Sequence, residues 1–463
     1  MNKNKLITIV TVTLLCILAV PMLHEMKLNE TQAAQNTNVE TAKSADAFVD
    51  SMGVVTHWGY PDTPYGFKYE EVKQKLVELG IRHVRDTLSP RIQDLAAVGI
   101  KSQVGVQPNE GTPTQLKDTI KAANQPIAAI DAVEGPNEPD IFWSINKISY
   151  QNKGFPEGVI AFQKDLYTTF KDDADTRNII IIGPAVGQSY GYENKSPLGK
   201  DTLTNYVDWG SFHPYPGGGN SYSVPFSYNT IEKYFWQGNF PAVNIDEWPY
   251  AFDVLSPPFG NKSMAATETG YNTSKIGISE RMHGKYMPRL YLEYFRKGII
   301  RTLSYEFLDE FNNPDNPEAN FGLLRNDLSA KPAYTALKNV INLLKDPGAN
   351  FTPSSLYYSI SVNPPPEYDR TQYIHHLLLQ KQNRTFYLAI WHEISNGDIS
   401  SRPIREITPP DIPVTITLKT PIKEVISYSL DDNGNMSSQP ISSTSTINLN
   451  VPDKALILAL TPQ

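Results

Sequence analysis

The sequence predicts an α/β fold, a (β/α)8 TIM barrel followed by a C-terminal antiparallel β-sandwich, and three observations lead there. Short apolar runs alternate with amphipathic stretches from residue 49 to 345, which is the rhythm of βα units. Two phrases, Gly135-Pro136-Asn137-Glu138-Pro139-Asp140 and Ala266-Thr267-Glu268-Thr269-Gly270-Tyr271, each set a glutamate just after such a run. They stand too far apart for a helical pair, and a parallel barrel unites them because its strand ends converge on one face. Beyond Leu344 the pattern changes to short period-two runs with turn residues between them and no helical pattern.

Taken in order, the first strand is Met52 to His57, followed by a helix over Tyr69 to Leu79. Ile81 to Arg85 makes the second strand, and Ile100 to Gln107 the third, after a helix through Ile92 to Val98. The fourth, Ile130 to Glu134, leads into the first glutamate phrase. A helix over Val159 to Phe170 precedes the fifth, Ile179 to Pro184, and the sixth is Val207 to His213. The seventh, Ser263 to Thr267, ends at Glu268. A long helix follows from Ser279 to Lys297, where Tyr286, Leu290 and Tyr294 share one face and Pro288 predicts a kink or break. Ile299 to Tyr305 is the eighth strand, and a last helix starts near Pro332.

The second domain is expected over 346–463, with strands such as Tyr357 to Val362, Thr385 to Trp391, Val414 to Leu418 and Ala455 to Leu460. Pro364-Pro365-Pro366, Asn396-Gly397 and Asp432-Asn433-Gly434 are its turn signals, and Asn396 to Pro413 reads as a loop. Residues 35–48 are polar and read as a linker.

The first 34 residues read as a signal peptide or membrane anchor. Lys3 and Lys5 precede an apolar run from Leu6 to Leu23, and small residues Ala33 and Ala34 follow. Cleavage near Ala34 would leave a long polar spacer, so a retained anchor, attaching the chain to a membrane, is the alternative. Both readings place the protein outside the cell, secreted or on the extracellular face of the membrane. Cys16, the only cysteine, lies inside this run, so a chain cleaved after it has no disulfide and no thiol chemistry. Net charge is −8 and no basic run appears, which argues against a nucleic-acid partner. No phosphate loop or dinucleotide fingerprint is present, and no cofactor is expected.

Cleaving a glycosidic bond needs one protonated carboxyl to donate to the leaving oxygen and one ionised carboxylate to attack or stabilise the anomeric carbon. Glu138 suits the first role, in a turn restricted by Pro136 and Pro139, with Asn137 beside it to donate to a sugar hydroxyl. Glu268 suits the second, between Thr267 and Thr269. Glu247, in Ile245-Asp246-Glu247-Trp248, is the rival carboxylate. Spacing favours Glu268, because one helix separates it from the eighth strand, whereas Glu247 would leave a long insertion.

These motifs resemble those of a retaining glycoside hydrolase of clan A, the cellulase-like superfamily, with families 39 and 5 the nearest in character. The resemblance spans about residues 49 to 463. It implies that Glu138, after Asn137 at the end of strand four, is the acid/base, and that Glu268, at the end of strand seven, is the nucleophile. It implies further that Arg85, in His83-Val84-Arg85-Asp86, orients the nucleophile, and that His213 and Tyr215 end strand six beside it. Where that family often has a tryptophan ending strand eight, Tyr305-Glu306-Phe307 stands here. His57, beside Trp58, would bind sugar hydroxyls, and Trp143 and Trp209 are candidates for stacking. Glu306 and Asp309 would contact substrate or pair with Arg325, and the ion pair is the favoured expectation.

No metal site is expected. His375-His376 with His392 lies on strands whose neighbours point to opposite faces, and Asp431 to Asn435 reads as a hairpin turn, not a calcium loop. The expected activity is therefore retaining hydrolysis of a β-linked oligo- or polysaccharide by double displacement. A non-catalytic carbohydrate-binding barrel and a transglycosylase are the alternatives.

Overall fold

A computed structural model describes residues 38–187, 196–221, 252–348, 350–362, 373–398, 401 and 403–463. The expected targeting segment 1–34, Glu247 and Pro364-Pro365-Pro366 lie outside these residues. Among the described residues no helix is long and apolar enough to cross a membrane.

Eight parallel strands make the barrel: β1 (Met52–Val55), β2 (His83–Asp86), β3 (Lys101–Gly105), β4 (Ile130–Glu134), β5 (Ile180–Ile182), β6 (Gly210–Phe212), β7 (Met264–Thr269) and β8 (Arg301–Ser304). Their spatial order is β5-β4-β3-β2-β1-β8-β7-β6. A single bridge, Ile182 to Trp209, brings the two ends of that order together, with Gly183 N donating to the Trp209 carbonyl at 2.9 Å. Strands β1, β7 and β8 are buried at every residue, which is why they read as continuous apolar runs and not as alternating ones.

The helices follow from amphipathic spacing and local capping. Helix α1 (Tyr69–Leu79) buries Val72, Leu76 and Leu79 and stops at Gly80, whose φ of 87° favours glycine. Helix α2 spans Ile92–Ala97. Helix α3 (Pro113–Ala123) opens with a capping box between Thr112 and Gln115. Helices α4 (Pro139–Ile145) and α5 (Glu157–Asp172) follow β4. Helix α6 (Glu280–Arg296) runs unbroken through Pro288, contrary to a break there. Every residue from Met282 to Tyr294 is buried, so packing on both sides outweighs the roughly 3 kcal/mol a proline costs a helix interior. Helix α7 spans Pro332–Leu344.

The C-terminal strands are β9 (Ser355–Val362), β10 (Ile374–Gln380), β11 (Phe386–His392), β12 (Ile412–Leu418), β13 (Ile422–Leu430), β14 (Met436–Ile441), β15 (Thr446–Val451) and β16 (Leu456–Pro462). One sheet orders Asn38–Thr41, β9, β12 and β15, and the other β14, β13, β16, β11, β10 and Lys43–Ser44. Leu378, Leu388, Ile390, Leu458 and Leu460 point into the sandwich core with Leu356, Ile416 and Ile447 of the facing sheet. Their neighbours Leu377, Leu379, Ala389, Trp391 and Ile457 point the other way and join the barrel's own core. A sheet apolar on both faces explains why β11 is buried throughout.

Two expectations need correction. The part of segment 35–48 that is described, from Asn38, is not a linker: it supplies an edge strand to each sheet and the start of a short helix, Ala45–Asp50, capped by Ser44. Edge strands tolerate polar residues, which is what disguised them. Within the stretch read as a loop, Gly397–Asp398 pairs with Arg405–Glu406, and β12 starts at Ile412.

Candidate active site

Arg85 points from β2 into the mouth of the barrel and divides its guanidinium among three acceptors. Nη1 donates to Glu268 Oε1 at 2.7 Å, Nη2 donates to Asn137 Oδ1 at 2.7 Å, and Nε donates to Glu134. Its neighbour in sequence, Asp86, turns elsewhere and accepts from Thr56 Oγ1 at 3.0 Å and Trp58 N at 2.8 Å. Burial pushes Asp86 up to about 6.

Glu268 lies in β7 and is 8 % exposed. Its second oxygen accepts from Tyr215 OH at 2.8 Å. Burial alone would raise this carboxyl, but the charges of His213 and Arg85, with the Tyr215 hydrogen bond, outweigh it and hold Glu268 below the ordinary glutamate value. Burial and the Glu268 charge keep the Tyr215 phenol well above its usual range, so it remains a donor.

Glu138 lies beyond the end of β4 and caps α4, with φ 40° and ψ 53°. A glutamate in this left-handed region is strained, and the segment is held by Glu138 N donating to the Ala185 carbonyl at 2.9 Å. Its carboxylate meets His213 Nδ1 at 2.8 Å, and the same nitrogen is 3.7 Å from Glu268 Oε2. Burial opposes the charged form of His213, but Glu268 and Glu138 outweigh it and raise the imidazole above its usual value. One oxygen of Glu138 and one of Glu268 lie within 4.8 Å of each other. Room for this comes from Gly187, where an added Cβ would sit 2.5 Å from Glu138 Cδ. Gly270 lines the same cleft and also permits close strand packing: a Cβ there would meet the Tyr305 carbonyl oxygen at 2.2 Å.

Both glutamates line one cleft of about 410 Å³, together with Asn137, Tyr215, Tyr305 and His57. Tyr305 follows β8 and packs edge-on against Tyr215 and Phe321, occupying the wall where a tryptophan was the comparison. His57 Nδ1 lies 2.6 Å from Glu310 and 3.3 Å from Glu306. Burial opposes its charged form, yet those two carboxylates hold it well above the ordinary histidine value. Glu306 is fully buried behind His57, and burial pushes it up to about 8. It contacts His57 and Tyr65 OH, not Arg325. Asp309 pairs with Lys331 at 2.7 Å, and Arg325 pairs with Glu280. The ion pair expected of Glu306 and Asp309 with Arg325 is thus replaced by partners just after β1, at His57, and just before α7, at Lys331.

Neither expected tryptophan lines the cleft. Trp143 is buried with Nε1 donating to Gln107 at 3.2 Å, and Trp209 lies under Arg301. His375 and His376 diverge, to Glu293 at 2.8 Å and Glu40 at 3.2 Å. Asp431 accepts from the backbone of Asn433 and Asn435 in the β13–β14 turn, as a hairpin requires. Three clusters among the described residues bring histidine and carboxylate atoms within 4.8 Å: Glu138, His213 and Glu268; His57, Glu306 and Glu310; Glu293, His375 and Glu393. In the last, Arg296 and Arg289 already neutralise the two carboxylates.

Several residues escaped the sequence reading. Glu134 and Gln103, which donates to it at 3.0 Å, form the floor beneath Arg85. A glutamate within a buried parallel strand needs a partner, and that signal was available. Glu310 and Tyr60 come from loops, Glu318 from the 3-10 turn Pro317–Asn320 and Phe142 from α4, and none of them left a local signal of the cleft.

No protein-family model and no curated protein sequence matches the chain. Its fold is nevertheless shared with solved structures of glycoside hydrolases. A family 39 glycoside hydrolase from the gut symbiont Bacteroides cellulosilyticus WH2 is 19% identical, over 90% of this chain and 82% of that one, with a TM-score of 0.58. A glucosidase from Croceicoccus marinus is 12% identical, over 92% and 97%, with a TM-score of 0.57. A family 51 α-L-arabinofuranosidase from Bifidobacterium longum is 12% identical, over 92% and 98%, with a TM-score of 0.53. All three match both the barrel and the β-domain, which defines the class of fold this chain adopts.

Proposed function

We propose that the protein is a glycoside hydrolase that cleaves β-linked oligo- or polysaccharides with retention of configuration. The observation that carries this is the approach of the Glu138 and Glu268 oxygens to within 4.8 Å in one cleft. Retaining enzymes hold their two carboxyl groups about 5–5.5 Å apart, whereas inverting enzymes need about 6.5–9.5 Å to admit a water. The solved structures of like fold are glycoside hydrolases, which supports the same class of chemistry.

Glu268, ionised by its neighbours, attacks the anomeric carbon while Glu138 protonates the departing oxygen. Glu138 then takes the proton from the water that releases the sugar. Arg85 and Tyr215 each bind one oxygen of Glu268 and fix its attack direction. Asn137, turned by Arg85, offers its amide to a sugar hydroxyl beside the reacting carbon. The carbohydrate substrate would enter from outside the cell, as the N-terminal segment suggests.

Aryl β-glycosides and a panel of β-linked polysaccharides test this, with products identified by mass spectrometry. Glu138→Ala should nearly stop release of poor leaving groups but accumulate glycosyl-enzyme from an activated aryl glycoside. Azide should then restore its turnover and yield a β-glycosyl azide. Intact hydrolysis of natural substrates by that variant would reject the role of Glu138, and binding without any release would favour a carbohydrate-binding barrel.

A further inference from the structure

Tyr215 sits on the segment Pro214-Tyr215-Pro216-Gly217-Gly218-Gly219-Asn220-Ser221. Three consecutive glycines give this loop more conformational freedom than any other residues would, and Gly217 and Gly218 use it at φ 70° and 135°. Its tyrosine nevertheless holds a 2.8 Å hydrogen bond to Glu268. The near end of the loop is tied to the barrel, where the Pro214 carbonyl accepts from Thr269 Oγ1 at 2.7 Å and Tyr294 OH at 3.0 Å.

The far end is tied to the β-sandwich. Asn220 N donates to Ser395 Oγ at 3.1 Å, and Ser221 Oγ donates to Glu393 Oε1 at 2.9 Å. In between, the Gly218 carbonyl accepts from Tyr286 OH at 3.3 Å, and the Tyr286 hydroxyl oxygen in turn accepts from Asn396 N at 2.6 Å. The clamp is stiff. Glu393 is fully buried against Arg289 and accepts from Trp391 Nε1 at 2.6 Å, while Arg289 also reaches Asn396 Oδ1 at 3.0 Å and the Ile394 carbonyl at 2.7 Å. A sandwich that merely packed on the barrel would need only the apolar face of β10 and β11. A buried charge pair is costly to desolvate, and here the Glu393 oxygen that binds Arg289 Nη2 also accepts from the loop.

We propose that Glu393, Ser395 and Asn396, following β11, are positioning residues that fix the glycine loop so that Tyr215 stays on Glu268. The second domain is thereby part of the reaction machinery. This rests on the roles given to Tyr215 and Glu268 above.

Ser395→Ala tests it with least risk to folding, and Ser221→Ala is the second variant. Hydrogen exchange at the amides of Gly217 to Ser221 should quicken by about tenfold in either, the measure of one lost buried hydrogen bond. For the same substrate kcat should fall by about three- to tenfold with KM little changed. The acid limb of the pH profile should move to higher pH, as in Tyr215→Phe, because Glu268 loses a donor that favours its ionised form. Combined with Tyr215→Phe, Ser395→Ala should cost nothing further. Unchanged loop exchange and an unmoved acid limb in both serine variants, or effects that multiply with Tyr215→Phe, would overturn the positioning role alone. Wild-type kinetics in Tyr215→Phe would reject the role of Tyr215 itself and remove the basis of the proposal.

Discussion

Arg85 organises the site because one planar fork serves three acceptors at fixed angles: Glu134 below, Glu268 ahead and Asn137 to the side. Lysine would keep the charge and lose that geometry. Arg85→Lys should therefore lower kcat roughly 100-fold, the scale of a misplaced reacting group, and leave the protein folded. Steady-state kinetics alongside circular dichroism would check this. Glu306 makes a different prediction. A carboxyl raised to about 8 from an ordinary 4.5 is destabilising wherever the unfolded chain ionises it more readily. Below 4.5 both states bind the proton and the cost vanishes; it grows as pH rises and levels off above about 8. Glu306→Gln, which mimics the protonated form, should leave Tm unchanged at low pH and raise it increasingly toward pH 8, as thermal melts across that range would show. A difference independent of pH would count against the buried, proton-holding environment.

At the scale of elements, the strand ends were legible and their surroundings were not. Buried parallel strands declare themselves as apolar runs, so β4 and α1 fall where the periodicity put them. Glu138, Glu268, Arg85, His213 and Tyr215 were legible because each stands in or just after such a run. What local pattern cannot carry is the partner of each side chain. Asp309 meets Lys331 and Glu306 meets His57 through loops whose paths no periodicity records. Edge strands such as Asn38–Thr41 were hidden for the reason that polar residues suit them. Between elements, the segment after β5 presses on the start of α4 at Gly187. Gly187→Ala should push Glu138 aside and lower turnover about tenfold or more. Its melting temperature should fall far less than its activity, because the collision falls on the side chains of Glu138 and Ile141 and not on backbone.

Across the whole molecule, helix α6 is the shared beam. One continuous core joins Tyr286, Leu290 and Tyr294 to the barrel and to Leu377, Trp391 and Ile457 of the sandwich. Inside that core, Arg289 and Glu393 neutralise each other at 3.3 Å. The two domains should unfold in a single calorimetric transition, and Glu393→Ala should destabilise both by about 3–5 kcal/mol, the cost of stranding a buried charge. Two separate transitions would contradict a shared core. The shared core itself was not legible in the sequence: the sandwich sheet facing the barrel looks like any other apolar sheet until its second buried face is seen.

The central claim is that Glu268 attacks and Glu138 transfers the proton, and covalent trapping tests it most directly. Activated 2-deoxy-2-fluoro β-glycosides slow the release of a glycosyl-enzyme more than its formation, so the attacking residue keeps the label. Intact-mass and peptide mass spectrometry should find one adduct, on the peptide containing Thr267-Glu268-Thr269, and none in Glu268→Ala. A label on Glu138 or Glu318, or turnover of the parent substrates with inversion and no adduct at all, would contradict the assignment.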